Sequence, residues 1–274
     1  MKKILILGAS GFIGSTIYKE LSPYYKTYGT YFSNKKYSLN KQFFRYDIVH
    51  TNLTEILKEV IPNLIISSLR GPFEHQIEVH GELIDYVKKY NCRVMFLSSS
   101  NVFDAFEHYP SYEYDKTLSE SIYGKLKIKI ENKLLKLHSS KYIIIRLPMV
   151  FGKKSPRTKE IDFLIKNNLP IEVFPNIIIN VNSNIKLSQQ IHYIINKKLT
   201  GIYHLGSYNL ISHYEFIKLI TKKRTFKNII FKHVFASNQL RYLAVLPKKN
   251  KLPSHLNNTY ESVLNDIYIS QNGF

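Results

Sequence analysis

This sequence predicts a doubly wound α/β fold: a parallel sheet covered on both faces, with a smaller C-terminal lobe. Three observations carry that expectation. Short, continuous apolar runs alternate with helix-like segments over residues 1–150. Strands buried on both faces read this way, whereas strands with one wet face alternate apolar and polar residues. A glycine triplet, Gly8, Gly11 and Gly14, lies between the first apolar run and the first amphipathic segment. After Gly152 the alternation fades. The expected division is 1–152 for the sheet domain and 153–274 for a smaller lobe interleaved with it.

The elements follow in order. "KILIL" (3–7) is a buried strand, and an amphipathic helix runs from the glycines to Leu21. "KTYGTYF" (26–32) and "QFFRYDI" (42–48) are the second and third strands. "TNLTEILKEV" (51–60) is helical and Pro62 ends it. "LIISS" (64–68) is a fourth strand, and 72–90 a long helix despite Gly81. "CRVMFLSSS" (92–100) is the fifth strand. The helix at 118–138 has apolar residues at Ile122, Leu126, Ile130 and Leu134. "YIIIRLPMVFG" (142–152) is the sixth strand. Right-handed crossovers then give the doubly wound topology. Beyond a basic loop, "KKSPRTK" (153–159), helices are expected near 160–167, 187–197, 212–222 and 256–268, with short apolar runs near 171–181.

The chain has 274 residues, of which 44% are hydrophobic and 22% charged. That suffices for a sizeable core. Gly8 ends the apolar run behind Lys2 and Lys3 after four residues, too early for a signal peptide. No apolar run approaches the ~18 residues a membrane helix needs. Cys92 is the only cysteine, and the ten histidines show no ligand spacing, so neither a disulfide nor a metal site is expected. These features fit a cytoplasmic protein without membrane partners. The formal charge of +19 would suit nucleic acid, but the lysines are scattered and form no single tract. Nucleic-acid binding is therefore not expected.

The loop "GASGFIG" has chemistry as well as shape. Glycines there permit a tight turn and close backbone approach, and the helix start behind them favours a pyrophosphate. Gly8, Ser10, Gly11, Phe12, Ile13 and Gly14 are the expected dinucleotide cradle. An acidic residue at the end of the second strand would select NAD, but residues 21–46 contain no Asp or Glu. Ser33, Asn34, Lys35 and Lys36 stand there instead, which favours NADP(H) over NAD(H).

Tyr123 precedes Lys127 by four residues, so a helix puts both on one face. Five other Tyr/Lys pairs share that spacing. This one alone follows a serine-rich strand end, "FLSSSNVFD" (96–104). With "GASGFIG", "YGTYFS", "YDI", "SSSNVFD", "YGKLK", "RLPMVFG" and "GIYHLGSYNLISHYEF", the chain resembles the extended short-chain dehydrogenase/reductase superfamily. Within it, the chain is similar to the dTDP-4-dehydrorhamnose reductase family. The resemblance implies a Rossmann-type NAD(P)-binding domain, a nucleotide-sugar substrate, and a catalytic set of Ser99, Tyr123 and Lys127. Tyr123 would be the general acid. Lys127 would hold the nicotinamide ribose and lower the tyrosine pKa, and Ser99 would bind the carbonyl oxygen. Asp47 and Ile48 would lie beside the adenine, with Ser67, Ser68 and Leu69 under the cofactor. Arg70 would meet a phosphate or pair with Glu74. A homodimer is compatible with the resemblance.

Three departures bear on substrate. Ser100 and Asn101 replace an Asp-Tyr pair, Met149 replaces a tryptophan facing the substrate, and the start of the lobe matches poorly. Dehydratases of this superfamily need an Asp-Glu pair that Ser100 and Asn101 cannot supply. The expected function is NADPH-dependent reduction of a keto group on a 4-keto-6-deoxy type nucleotide sugar, for surface polysaccharide or a related glycan. The alternatives are a non-catalytic NADP-binding regulatory subunit and a reductase or epimerase of a non-nucleotide substrate.

Overall fold

The computed structural model describes residues 2–106, 108–222, 229–235 and 237–268. The strands and helices of the first half are β1 (Lys3–Leu7), α1 (Phe12–Leu21), β2 (Lys26–Tyr31), β3 (Phe43–Arg45), α2 (Leu53–Val60), β4 (Leu64–Ser67), α3 (Phe73–Lys89), β5 (Arg93–Leu97), α4 (Ile122–Leu134) and β6 (Tyr142–Arg146). The second half adds β7 (Met149–Phe151), α5 (Pro156–Lys166), β8 (Ile171–Val173), β9 (Ile177–Ile179), β10 (Val181–Ser183), α6 (Asn184–Asn196) and β11 (Gly201–His204). It ends with β12 (Ile211–Ser212), α7 (His213–Lys222), β13 (Phe231–His233), β14 (Arg241–Leu243) and α8 (Tyr260–Tyr268).

Seven strands pair in the order β11-β6-β5-β4-β1-β2-β3. Every pairing in this sheet is parallel. Side chains alternate faces along each strand, and the core divides accordingly. Leu5, Leu7, Ile65, Val94, Phe96 and Ile144 point to one face, under α2, α3 and α4. Ile4, Ile6, Ile66, Met95, Leu97, Ile143 and Ile145 point to the other, under α1 and α6. Both faces are dry, which is why the strands read as unbroken apolar runs.

The expected elements hold, with changes at their ends. The third strand stops at Arg45 because Asp47 opens a turn, its carboxylate accepting from the Val49 N–H at 3.0 Å. The helix expected over 118–138 begins at Ile122, where the Ser121 side chain accepts from the Gly124 N–H. The expected sixth strand is two pieces. Proline offers no N–H to a ladder, and beyond Pro148 the chain leaves the sheet as β7 to pair with β10.

"GIYH" was not expected as a strand, yet β11 closes the sheet beside β6, with Tyr203 opposite Ile145. The chain therefore returns to the main sheet after its excursion, and α6 covers α1. Asn184 donates to Thr16 Oγ1 at 2.8 Å across that contact. The remaining elements gather a separate core of Phe151, Ile161, Ile171, Val173, Phe216, Ile220 and Val263. This core is joined to the sheet through β7, which follows β6 and pairs with β10. Among the described residues no helix is long and apolar enough to cross a membrane, and no cluster of metal-ligating side chains occurs.

Candidate active site

The strand order turns at β1 and β4, whose carboxyl ends diverge into α1 and α3. Open α/β sheets bind ligands in that crevice. Gly8 takes φ +78, a conformation that side chains resist, and a Cβ there would stand 2.8 Å from the Ser68 carbonyl oxygen. A Cβ on Gly14 would stand 2.3 Å from the Gly8 carbonyl oxygen. The cradle can be built only from glycine at these two positions. The N-cap of α1 is Gly11, and no side chain caps it. Its first N–H groups are left for an anion, so the cradle fits the pyrophosphate of a dinucleotide.

The serines after β4 hold the loop itself. Ser68 Oγ donates to the Leu7 carbonyl at 2.8 Å. Ser67 is buried, and its hydroxyl meets His80 Nε2 at 2.9 Å. Burial pushes the His80 pKa down to about 4, so the ring is neutral. Its Nδ1–H donates to the Gln76 carbonyl at 2.6 Å, which leaves Nε2 to accept from Ser67. Ser67 thus contributes its backbone to the crevice, while its side chain serves the core. Leu69 packs on the core between sheet and helices. Ile48 is half-buried and fills the space a Cβ on Gly71 would take. Ser33, Asn34, Lys35 and Lys36 are exposed, and Asn34 caps the short turn Lys35–Tyr37 by accepting from the Lys36 N–H.

Ser99, Tyr123 and Lys127 meet at the carboxyl end of β5. Lys127 is only 5% exposed, and Nζ donates to the Leu97 carbonyl at 3.1 Å. The same Nζ lies 4.6 Å from the Phe96 ring centroid and 5.5 Å from that of Tyr123. Burial pushes the Lys127 pKa down to about 8, with Glu131 opposing and Arg70 assisting the shift. Tyr123 is 41% exposed at the cleft. The Ser99 hydroxyl donates to Asn101 Oδ1 at 2.9 Å and accepts from the Asn101 N–H at 3.2 Å, which holds its rotamer.

Ser100 is buried, its N–H donating to the Leu147 carbonyl at 2.8 Å. Met149 is half-buried and packs on the lobe core at the seam with the sheet domain. Of the three residues expected to face substrate, Asn101 is the one tied directly to Ser99.

One expectation is reversed. Lys127 was expected to lower the Tyr123 pKa. Desolvation in the cleft instead raises it, and the opposing cations are Arg70 and Arg157. A general acid must carry its proton, so the raised value keeps Tyr123 in the donor form at neutral pH. Arg70 forms no ion pair with Glu74 among the described residues, and its charge opposes the rise of the Tyr123 pKa.

Sequence reasoning missed the groups that set this geometry. A Cβ on Gly124 would lie 2.0 Å from Ser119 Oγ and 2.3 Å from the Asn101 carbonyl oxygen. Only glycine lets α4 approach the Ser99 loop this closely. Asp104 ties the same junction, accepting from the Glu120 N–H at 2.7 Å and from the Ser121 hydroxyl. Behind Lys127, Glu131 and Arg146 form an ion pair at 2.8 Å, their side chains 1% and 3% exposed. Ser98 Oγ donates to Glu131 Oε1, Arg146 Nη1 donates to the Glu113 carbonyl, and the Phe103 ring lies 4.8 Å from the guanidinium. The one available signal was the Lys127/Glu131 spacing on a helix, one turn beyond Tyr123.

A sheet that turns at β1, with a Tyr/Lys helix leading out of its fifth strand, is the architecture of the extended short-chain dehydrogenases/reductases. The family described as "RmlD substrate binding domain" matches residues 74–265, and the chain belongs to that family. Solved structures agree on the fold. A dTDP-4-dehydrorhamnose reductase from Bacillus anthracis in complex with NADP is 21% identical, with 98% of this chain and 100% of that one covered and a TM-score of 0.79. Its ortholog from Clostridium acetobutylicum is 20% identical over 98% and 99% of the two chains, with a TM-score of 0.73. A dTDP-glucose 4,6-dehydratase from Bacillus anthracis in complex with NAD is 18% identical over 99% and 97%, with a TM-score of 0.80. No curated protein sequence matches the chain.

Proposed function

We propose that this protein is a cytoplasmic, NADPH-dependent reductase of a keto group on a nucleotide-linked sugar of the 4-keto-6-deoxy type, serving surface polysaccharide or a related glycan. The observation that carries the reading is the convergence of Ser99, Tyr123 and Lys127, with Lys127 Nζ 5.5 Å from the Tyr123 ring and Gly124 holding their helix against the Ser99 loop. The bound nicotinamide would supply the hydride. Ser99 and Tyr123 would hold the carbonyl oxygen, and Tyr123 would deliver the proton as the alkoxide forms. Lys127 would hold the nicotinamide ribose and steady the tyrosine. The Asp-Glu pair that elimination requires has no counterpart, because Ser100 and Asn101 occupy those positions.

The test is NADPH oxidation against a panel of 4-keto-6-deoxy nucleotide sugars. We expect turnover with at least one of them, lost when the keto group is replaced by hydroxyl. NADPH binding with no oxidation across the panel would sink the reading and favour a cofactor-binding regulatory subunit. The cofactor preference is tested separately. Lys35→Glu with Lys36→Glu is expected to weaken NADPH by about tenfold or more while leaving NADH nearly unchanged, because only NADPH carries the 2′-phosphate. Equal weakening of both cofactors in a fluorescence titration would remove the selector role from these lysines.

A further inference from the structure

Lysines that lie scattered along the sequence gather in the fold. In a doubly wound sheet each helix runs back to the start of a strand, so helix ends and strand starts share one edge, opposite the crevice at the strand ends. Lys3 stands beside Lys26 in the register of β1 and β2, and the Lys26 N–H donates to the Lys2 carbonyl at 3.2 Å. Asn63, before β4, continues the row. Its N–H donates to the Lys3 carbonyl at 2.9 Å, and its own carbonyl accepts from the Arg93 N–H at 3.0 Å. Arg93 Nη1 reaches the Lys198 and Leu199 carbonyls beyond α6, at 3.2 and 3.3 Å. Lys141, before β6, donates from Nζ to the Tyr90 and Val87 carbonyls at the end of α3, at 2.8 and 3.1 Å. The helix ends add Lys19, Lys58, Lys88 and Lys89.

A cation at a helix end answers the macrodipole, whereas a sheet has little dipole to answer. Lys2, Lys3, Lys26 and Lys141 stand at strand starts, and among the described residues none of them has an ion pair. Of the acids on these helix ends, Glu20 meets His192 at 2.8 Å and Asp85 meets Lys88 at 3.4 Å, which leaves Glu59. Seven strand starts make an edge about 30 Å long. Two exposed rings, Tyr24 and Tyr90, lie on it. Tyrosine, apolar in body and polar at its tip, suits a bilayer interface. The open cations are lysines, hydrated point charges that anionic headgroups attract without fixed geometry. Reading nucleic acid favours the arginine fork, and Arg93 is already engaged with carbonyls.

We propose that the amino edge of the sheet docks on the anionic lipid headgroups of a bilayer surface. The crevice at the opposite edge then faces away from the bilayer and stays open to ligands. This inference goes beyond the reductase reading and does not rest on it.

The experiment mixes the full chain with sucrose-loaded vesicles, one set of phosphatidylcholine alone and one with about one-third phosphatidylglycerol, at about 0.1 M salt, where surface charges still act over ~10 Å. Sedimentation with the anionic set only is expected, with release at about 1 M salt, where the screening length falls to ~3 Å. Lys26→Gln with Lys89→Gln and Lys197→Gln removes charge from exposed side chains of the edge. Vesicle affinity should fall by about tenfold or more. Lys129→Gln with Lys166→Gln and Lys186→Gln removes the same charge elsewhere and should stay within about twofold of the parent. The proposal is overturned if the parent stays in solution with both sets, if neutral vesicles carry it down equally, or if the two triple variants lose equal affinity. A single-stranded oligonucleotide is titrated as the rival ligand. Tighter binding to it than to the vesicles, lost in the edge variant, would assign the edge to nucleic acid and also overturn the proposal. Sedimentation needs neither NADPH nor a ketone, so this result stands apart from any failure of the reductase reading.

Discussion

Tyr123→Phe is expected to lower the rate of NADPH oxidation with the true substrate by about 10²–10⁴-fold and to leave NADPH affinity within about twofold, the range expected when a general acid is removed without disturbing binding. The change deletes one hydroxyl and keeps the ring, so the packing against Phe73 and the contact with Lys127 Nζ persist. What disappears is the proton donor. Because burial raises the Tyr123 pKa, the parent should hold its rate across neutral pH and lose it only on the alkaline side, as the phenol ionises. Stopped-flow measurement of a single turnover, with NADPH binding read separately, separates the two effects. Unchanged turnover in the variant would take Tyr123 out of the mechanism.

Glu131→Ala is expected to cost about 3–5 kcal/mol of stability, the usual penalty for stripping one partner from a buried ion pair. Arg146 would keep its charge with both carboxylate contacts gone, and its other neighbours cannot neutralise it. They are the Glu113 carbonyl, the Phe103 ring and His204, whose pKa burial and Arg146 push down to about 3. Ser98 would lose its acceptor as well. Lys127, one turn earlier on α4, would lose the carboxylate that supports its charge, so its pKa should fall below the present value of about 8. Urea unfolding of the parent, of Glu131→Ala, of Arg146→Leu and of the double variant measures the effect. The double variant should be less destabilised than the sum of the two single changes, because it leaves no orphaned charge. A single variant within about 1 kcal/mol of the parent would show that Arg146 needs no counter-ion, against the general cost of buried charge.

Much of the site was legible because its logic is local. Glycine at 8 is required by its positive φ, and glycine at 14 by the Gly8 carbonyl oxygen six residues before it, so both constraints act within one loop. Tyr123 and Lys127 lie four apart on one helix, so periodicity alone puts them on one face. Pro148 announced a break, although it was read inside a single strand. Other features depended on partners far along the chain. The strand "GIYH" is short and flanked by turn residues, and it becomes a strand only because β6 offers a free edge. The buried Ser67 hydroxyl is taken by His80, thirteen residues later, a contact that no local pattern announces. Arg146 carries no local mark of a buried ion pair; its partner is on α4, and only the packing of α4 on the sheet joins them.

The sequence by itself determined the layered α/β class, the glycine cradle and the shared helix face of Tyr123 and Lys127, since each rests on sterics or periodicity within a few residues; Ser99 joined them through the family resemblance. The tertiary structure decided the electrostatics. It set Glu131 against Arg146, and it desolvated Tyr123 so that the tyrosine pKa is raised where the sequence reading expected it lowered. The reason is physical: desolvation and Coulomb interactions depend on distance in space, and in a folded chain that distance is independent of separation along the sequence.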